Sequence, residues 1–380
     1  MAQDKDQKTL NVPPLRFPGF TDNWQNKSMQ DIAPLQRGFD LPTQNIEDGD
    51  IPVVYSNGIL RKHSEGKCVA PGLVTGRSGT IGKFTYIDNG EYWPHNTSLW
   101  VTDFKDNHPK FIYYLYSTIK IDQFATGSGV PTLNRNDVHR HRTFIPTITE
   151  QKKISEFLSQ LDERISTQNK IIDNLQSLMK GLAKTHYDSC PTLHLVKIRE
   201  LGEPYTVMNL SKEQLSDTGV PCILYGELFT QYGPVIEDVI SKTNVTSNLT
   251  LSRGRDLLFP SSTTVDALSL IAPSALTKPN IILGGDMFGI KVSDDYSPEY
   301  LSLYFNYIGQ CDLAKYAIGS TIVHLHYKDI AEHTIRIPSI GEQQRFVKLA
   351  SIVKRKIDVE KSLLHNLTEM KAYLLQNMFI

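Results

Sequence analysis

From Ile154 onward, apolar side chains recur at alternating steps of four and three: Ile154, Leu158, Leu161, Ile165, Ile172, Leu175, Met179 and Leu182. One polar residue, Gln168, keeps the same step. This is the a/d spacing of a coiled coil, and it predicts one helix of about 37 residues. Adding 192 to each number gives Phe346, Ala350, Val353, Ile357, Glu360, Leu364, Leu367, Lys371 and Leu374, so a second helix keeps the same stripe. Helices of globular cores typically run about 8 to 20 residues. Two of this length read better as a long coiled-coil pair. Gln168 and Glu360 break both stripes near their midpoints, where an antiparallel pair would bring them face to face and fix the register. Otherwise both simply reach solvent.

The helices start alike. IPTITEQKK (145–153) and IPSIGEQQR (337–345) each carry a proline, Pro146 or Pro338, ahead of the pattern S/T-x-x-E. Thr147 with Glu150, and Ser339 with Glu342, therefore predict two capping boxes. The repeat continues upstream at the same offset. TGSGVPTLNRNDV (126–138) aligns with IGSTIVHLHYKDI (318–330), matching Gly127 with Gly319, Ser128 with Ser320, Leu133 with Leu325 and Asp137 with Asp329. Farther up, PKFIYYLY (109–116) resembles PEYLSLYF (298–305), and IPVVYSNGI (51–59) faintly resembles VPCILYGEL (220–228).

Between the helices, runs such as VVY, LWVTDF, LLF and GIKV lie among Gly, Pro and Asp clusters and read as strands, with helices near 111–117 and 300–308. The expected fold is mixed α/β: two globular units separated by two long helices in an antiparallel coiled coil, with a pseudo-twofold internal repeat. The boundaries follow: an N-terminal tail at 1–25, whose first residues are expected to lack fixed structure, a globular domain at 26–146 and a helix at 147–187. A second domain at 188–338 and a second helix at 339–380 complete the chain.

Composition narrows the function classes without naming one. The 380 residues carry 40 Lys and Arg against 41 Asp and Glu, a net charge of −1, so any nucleic-acid partner must be met by locally gathered cations. Cys68, Cys190, Cys222 and Cys311 are scattered and suggest neither a zinc site nor a disulfide framework. With no leader-like or membrane-length apolar run, a cytoplasmic location is expected.

Two unlike halves, each ending in G-S-x-x-x-x-L, then IP-x-x-x-EQ and a long helix, resemble the specificity subunit of type I restriction-modification systems. LRFPGFTDNW (15–24) is similar to the opening of many such subunits. The resemblance covers essentially the whole chain. It implies a non-catalytic, DNA-binding protein with two target recognition domains, each reading half of a split site on double-stranded DNA. It further implies two methyltransferase subunits as partners, optionally two restriction subunits, and DNA methylation with S-adenosylmethionine, Mg2+ and ATP used only in those partners. A helix of about 37 residues is about 55 Å long, roughly 16 base pairs of duplex at ~3.4 Å each. Such a pair could act as a ruler between half-sites.

Other chemistry fits poorly. TGRSGTIGKF (75–84) lacks the first glycine and the Ser/Thr of a Walker A loop, with Arg77 and Phe84 in those places. No adenine-methyltransferase N/D-P-P-Y/F motif is present. Asp50, Glu65 and Lys67 offer only a weak metal-nuclease constellation. The DNA-contact candidates are Tyr55, Arg77, Ser78 and Lys83, then Ser128, Thr132, Asn134 and Arg135 ahead of the first helix. In the second half they are Tyr225, Thr263, Thr264, Ser320, Thr321, His324, His326 and Lys328. Asn suits adenine, and Arg, Lys or His suits guanine or phosphate. The cluster HRHR (139–142) could form a basic edge. The competing reading is a coiled-coil adaptor that joins two protein-binding modules and never touches DNA.

Overall fold

The glutamine that follows each repeated glutamate ties a globular domain to a long helix. In the computed structural model, which describes residues 11–127, 129–208 and 210–380, the first long helix spans Ile148–Ser189 and the second Ile340–Asn377. Gln151 Oε1 accepts the backbone N–H of His108 at 2.9 Å, while its amide donates to Pro146 O at 3.1 Å and Asn107 Oδ1 at 2.9 Å. Gln343 repeats this, accepting from Ser297 N at 2.9 Å and donating to Pro338 O at 2.9 Å. His108 and Ser297 are the N-caps of the domain helices Pro109–Thr118 and Pro298–Tyr307, each with proline in its first turn.

The chain divides into two units, Met1–Asn169 with Ser362–Ile380, and Lys170–Lys361. In the first, a four-stranded antiparallel sheet has the order Leu35–Arg37, Ser98–Val101, Gly72–Gly76, Phe84–Ile87. A second sheet places Ile51–Tyr55 between Gly58–His63 and, in parallel, Glu91–Pro94. Gln25–Ser28 pairs with Arg142–Ile145, so the domain's first and last strands meet where the chain enters the helix.

The second unit repeats this plan with longer sheets. One has the order Gly202–Thr206, Met287–Val292, Asp256–Pro260, Ser274–Leu276, Val235–Ile236. The other pairs Val220–Leu224 in parallel with Pro279–Gly284, the counterpart of the parallel pair in the first unit, so the faint resemblance of 51–59 to 220–228 is a shared topology. His194–Lys197 and Thr334–Ile337 close it at the second helix.

The apolar stripes are shared with the domains. In the first unit Ile154, Leu158 and Leu161 are buried, and Ile165 and Leu367 partly so, in one core with Phe111, Leu115, Leu374 and Phe379. Asp162 pairs with Lys371 at 2.6 Å, so an early part of one helix lies against a late part of the other, as antiparallel packing requires. In the second unit Phe346, Val353 and Ile357 join a core with Met179, Tyr300 and Phe305, against which Leu175 packs. Ile172 is buried and Leu364 half-buried. Gln168 is 6% and Glu360 7% exposed, so neither reaches for solvent.

The two glutamates depart from the capping-box expectation. Both Glu150 oxygens bind Arg16, at 2.7 Å each, and the carboxylate is drawn away from the cap. Glu342 instead binds Arg345 one turn on at 2.5 Å. Arg16 belongs to the segment read as a tail, and from Asn11 onward that segment is packed. Leu15 N–H donates to Asn377 O at 2.9 Å, Phe17 meets Phe157 edge-on and Trp24 is buried. Residues 1–10, expected to lack fixed structure, lie outside the described residues.

Candidate nucleic-acid interface

Two loops singled out separately in the first half lie side by side. Leu133 N–H donates to Arg77 O at 2.7 Å, Gly79 N–H donates to Pro131 O at 3.2 Å, and Ser78 bridges antiparallel to Thr132. Gly76 lets the first of these loops fold back on itself, for a Cβ there would stand 1.7 Å from Thr80 O. The second half builds the same juncture. Leu325 N–H donates to Ser261 O at 2.9 Å, and Ser262–Thr263 pairs with Val323–His324, Ser262 opposite His324. Leu133 and Thr132 become Leu325 and His324 at the repeat offset of 192, so the backbone match makes Arg77 equivalent to Ser261 and Ser78 to Ser262.

One framework thus presents different chemistry. In the first half Arg77 is half-buried, and among the described residues its guanidinium has no hydrogen-bond or ionic partner. An arginine offers five donors. Lys83 is exposed but tethered to Asn57 O at 3.1 Å. Thr132 binds Val130 O at 3.3 Å, Asn134 caps a short helix by accepting from Asn136 N at 3.0 Å, and Arg135 is exposed. Ser128 lies outside the described residues. Tyr55 is half-buried with its ring 4.3 Å from that of His95.

In the second half Ser320, Thr321, His324, His326 and Lys328 are exposed, the two imidazoles stacked 6.2 Å apart. Asp329 fixes the backbone there by accepting His326 N–H at 3.0 Å. Thr263 accepts from Val265 N at 3.3 Å, and Thr264 is exposed. Tyr225 stands one residue past its strand, whereas Tyr55 ends its own, so the two are not equivalent. His326 and Lys328 face an open groove of about 1100 Å³, lined also by Tyr205, Arg253, Ser261 and Asp286. Arg253 lies over the Tyr205 ring at 4.5 Å, and Tyr205 is oriented by its 2.6 Å bond to Asp256. Sequence reading missed Arg253 and Tyr205. Their only signal is an aromatic and a cation on two short strands, Gly202–Thr206 and Thr250–Arg253.

The HRHR cluster is not a free basic edge. His139 Nε2 accepts Leu35 N–H at 2.8 Å, Arg140 pairs with Asp137, and Arg142 donates to Asn26 Oδ1 and O at 2.6 and 3.0 Å. Burial, helped by the nearby charge of Arg135, holds His139 below the ordinary imidazole range. The nuclease constellation is also otherwise engaged, with Asp50 paired to Lys62 at 3.0 Å and Lys67 over the Trp93 ring at 4.7 Å. Among the described residues no cluster of His, Cys, Asp and Glu could hold a metal ion, and no helix is long and apolar enough to cross a membrane.

The doubled framework has a counterpart among known proteins. The type I restriction modification DNA specificity domain matches residues 21–177 and again 209–369. The chain belongs to this family. It is thus a DNA specificity subunit of the type I restriction-modification class, and the adaptor reading has no support. A putative type I restriction enzyme specificity subunit, MjaX, from Methanocaldococcus jannaschii is 22% identical over 309 residues, covering 74% of this chain and 70% of that one. The type I S subunit of M. genitalium shares the fold at a TM-score of 0.64 and 16% identity, over 97% of this chain and 99% of that chain. A chain from structural work on assembly and conformational transition of a type I system gives 0.53 at 14% identity, over 96% and 98%.

Proposed function

We propose that this specificity subunit reads a bipartite site on double-stranded DNA, each domain contacting one half through its loop juncture. The observation that carries this is the doubled juncture itself: the same backbone bonds, at Leu133 to Arg77 and Leu325 to Ser261, display unlike side chains. A shared frame with unlike donors suits unlike half-sites, because base edges are told apart by donor and acceptor pattern. Arg77 and Arg135 serve one half, and His324, His326, Lys328 and Arg253 the other. Thr132, Asn134 and Tyr55 are held by local contacts and shape the loops.

The subunit itself carries no catalysis in this reading. Two methyltransferase subunits dock on it, joined in a restriction complex by two restriction subunits, and S-adenosylmethionine, Mg2+ and ATP belong to those partners. The second helix supports such docking, for Leu349, Ile352, Val359, Leu363, Met370 and Tyr373 are exposed. Each stands one residue before a position of the a/d stripe, so Leu349, Ile352 and Val359 in one unit, and Leu363, Met370 and Tyr373 in the other, each form an a/d-spaced patch suited to a partner helix. The long helices set the half-site spacing.

Methylome sequencing of cells that express the chain with and without its methyltransferase partner tests the function. A split methylated motif that requires both proteins is expected. A stable complex that methylates no defined motif would refute it.

A further inference from the structure

Each juncture is preceded, at matching positions, by an aliphatic side chain in water: Val130, 65% exposed, and Ile322, 48% exposed, the latter with Ile318, 72% exposed, in the same turn. Val130 and Ile322 are equivalent at the offset of 192. A single exposed aliphatic is ordinary on a protein surface. Here the same turn produces one twice, in halves whose other loop residues differ.

The turn is built around that residue. Gly127 and Gly319 have φ of +112° and +134°, which L side chains rarely adopt. A Cβ on Gly127 would stand 3.2 Å from Val130 O, and one on Gly319 would stand 2.0 Å from Ile322 O. The glycine therefore lets the chain close on the carbonyl of the aliphatic residue. The following residues are pinned, Pro131 O by Gly79 N–H at 3.2 Å, and His324 by paired backbone bonds with Ile318 of 2.8 and 2.9 Å. Each tip is thus carried on a braced strand end.

The loops that carry the tips also carry basic and polar side chains: Arg77 and Arg135 in one half, Lys328 with the imidazoles of His324 and His326 in the other. An apolar tip beside arginine or lysine and hydrogen-bonding imidazoles is suited to a polyanion that offers an isolated apolar group in a groove. Duplex DNA offers one, the 5-methyl group of thymine in the major groove.

We infer that Val130 and Ile322 are specificity-determining residues, each packing on a thymine 5-methyl group in its own half-site. The inference rests on the DNA-reading function proposed above.

The test uses the full chain with its methyltransferase partner and a randomised duplex library, comparing wild type with Val130→Ala and Ile322→Ala. Each variant is expected to relax one T·A position, in a different half-site, by about fourfold per methyl group removed from contact. Deoxyuridine in place of that thymidine should weaken wild type equally and leave the variant unmoved. A sequence enriched by wild type but read identically by both variants overturns the contact alone, as does relaxation at a G·C pair or indifference to deoxyuridine. Loss of the methyltransferase subunit from Val130→Ala also overturns it, assigning the tip to a protein partner. A wild-type complex that enriches no sequence overturns the parent function together with the contact.

Discussion

Gln151 accepts the backbone N–H of His108 at 2.9 Å and so seats the first domain helix on the first long helix. The same residue type performs the same task in the second half, where Gln343 accepts from Ser297 at 2.9 Å. Both glutamines are buried, so water is poorly placed to replace them. Truncating one leaves buried N–H and C=O groups without partners, at a cost of about 1 to 3 kcal/mol. Gln151→Ala is expected to lower stability by that amount in urea unfolding. Gln343→Ala, which breaks two side-chain bonds instead of three, should lose no more. Unchanged unfolding midpoints in both would refute the clamp.

Arg16 and Glu150 form a two-bond ion pair across 134 residues of sequence, with the Glu150 side chain 2% exposed. Removing one member strands a buried charge, at about 3 to 5 kcal/mol. Arg16→Met should therefore destabilise strongly, while Arg16→Met with Glu150→Gln should recover much of the loss. A double variant as unstable as the single one would show that packing, not charge, dominates there.

The bond from Leu35 N–H to His139 Nε2 exists only while that nitrogen is unprotonated. Burial holds the folded pKa below the ordinary 6.5. The unfolded chain therefore takes the proton first as pH falls. The contribution of His139 is complete above about pH 6.5 and is lost as pH falls toward the folded value. His139→Gln should flatten this acid limb of the stability curve, measured by denaturant unfolding between pH 7 and pH 5.

Among the described residues the Arg77 guanidinium has no hydrogen-bond or ionic partner. If it meets a guanine edge with two bonds, Arg77→Ala should weaken binding by about 1 to 3 kcal/mol at one base position. The preference of the other half-site should stay as it was. A motif unchanged in both halves would remove Arg77 from the readout.

The exposed patches on the second helix offer a separate handle. Val359→Glu and Met370→Glu should leave folding intact, since both side chains already stand in water, yet prevent co-purification of the methyltransferase subunit. Retention of the partner by both variants would place its docking surface elsewhere.

Much of the architecture is legible from residue order. The helical stripe follows from side chains repeating near 3.6 residues per turn. The domain helices expected near 111–117 and 300–308 appear as Pro109–Thr118 and Pro298–Tyr307, with proline marking both starts. The candidate loops were legible as loops, but not as neighbours. Nothing between Arg77 and Leu133 in the sequence announces that one bonds the other. HRHR misled for a related reason: charge is visible in a sequence, whereas the distant Asn26 and Leu35 groups that engage Arg142 and His139 are not.

By itself, then, the sequence determined the duplication, the two long helices and the mixed α/β halves, because periodicity and local turn chemistry are properties of neighbouring residues. Tertiary structure alone decided that Glu150 serves Arg16 instead of its own cap, that the glutamine beside it is the clamp, and which loop side chains are already held by bonds within the protein. Those outcomes depend on which buried polar groups find partners across distant segments. A buried donor or acceptor selects its partner by proximity in space, which local patterning does not encode.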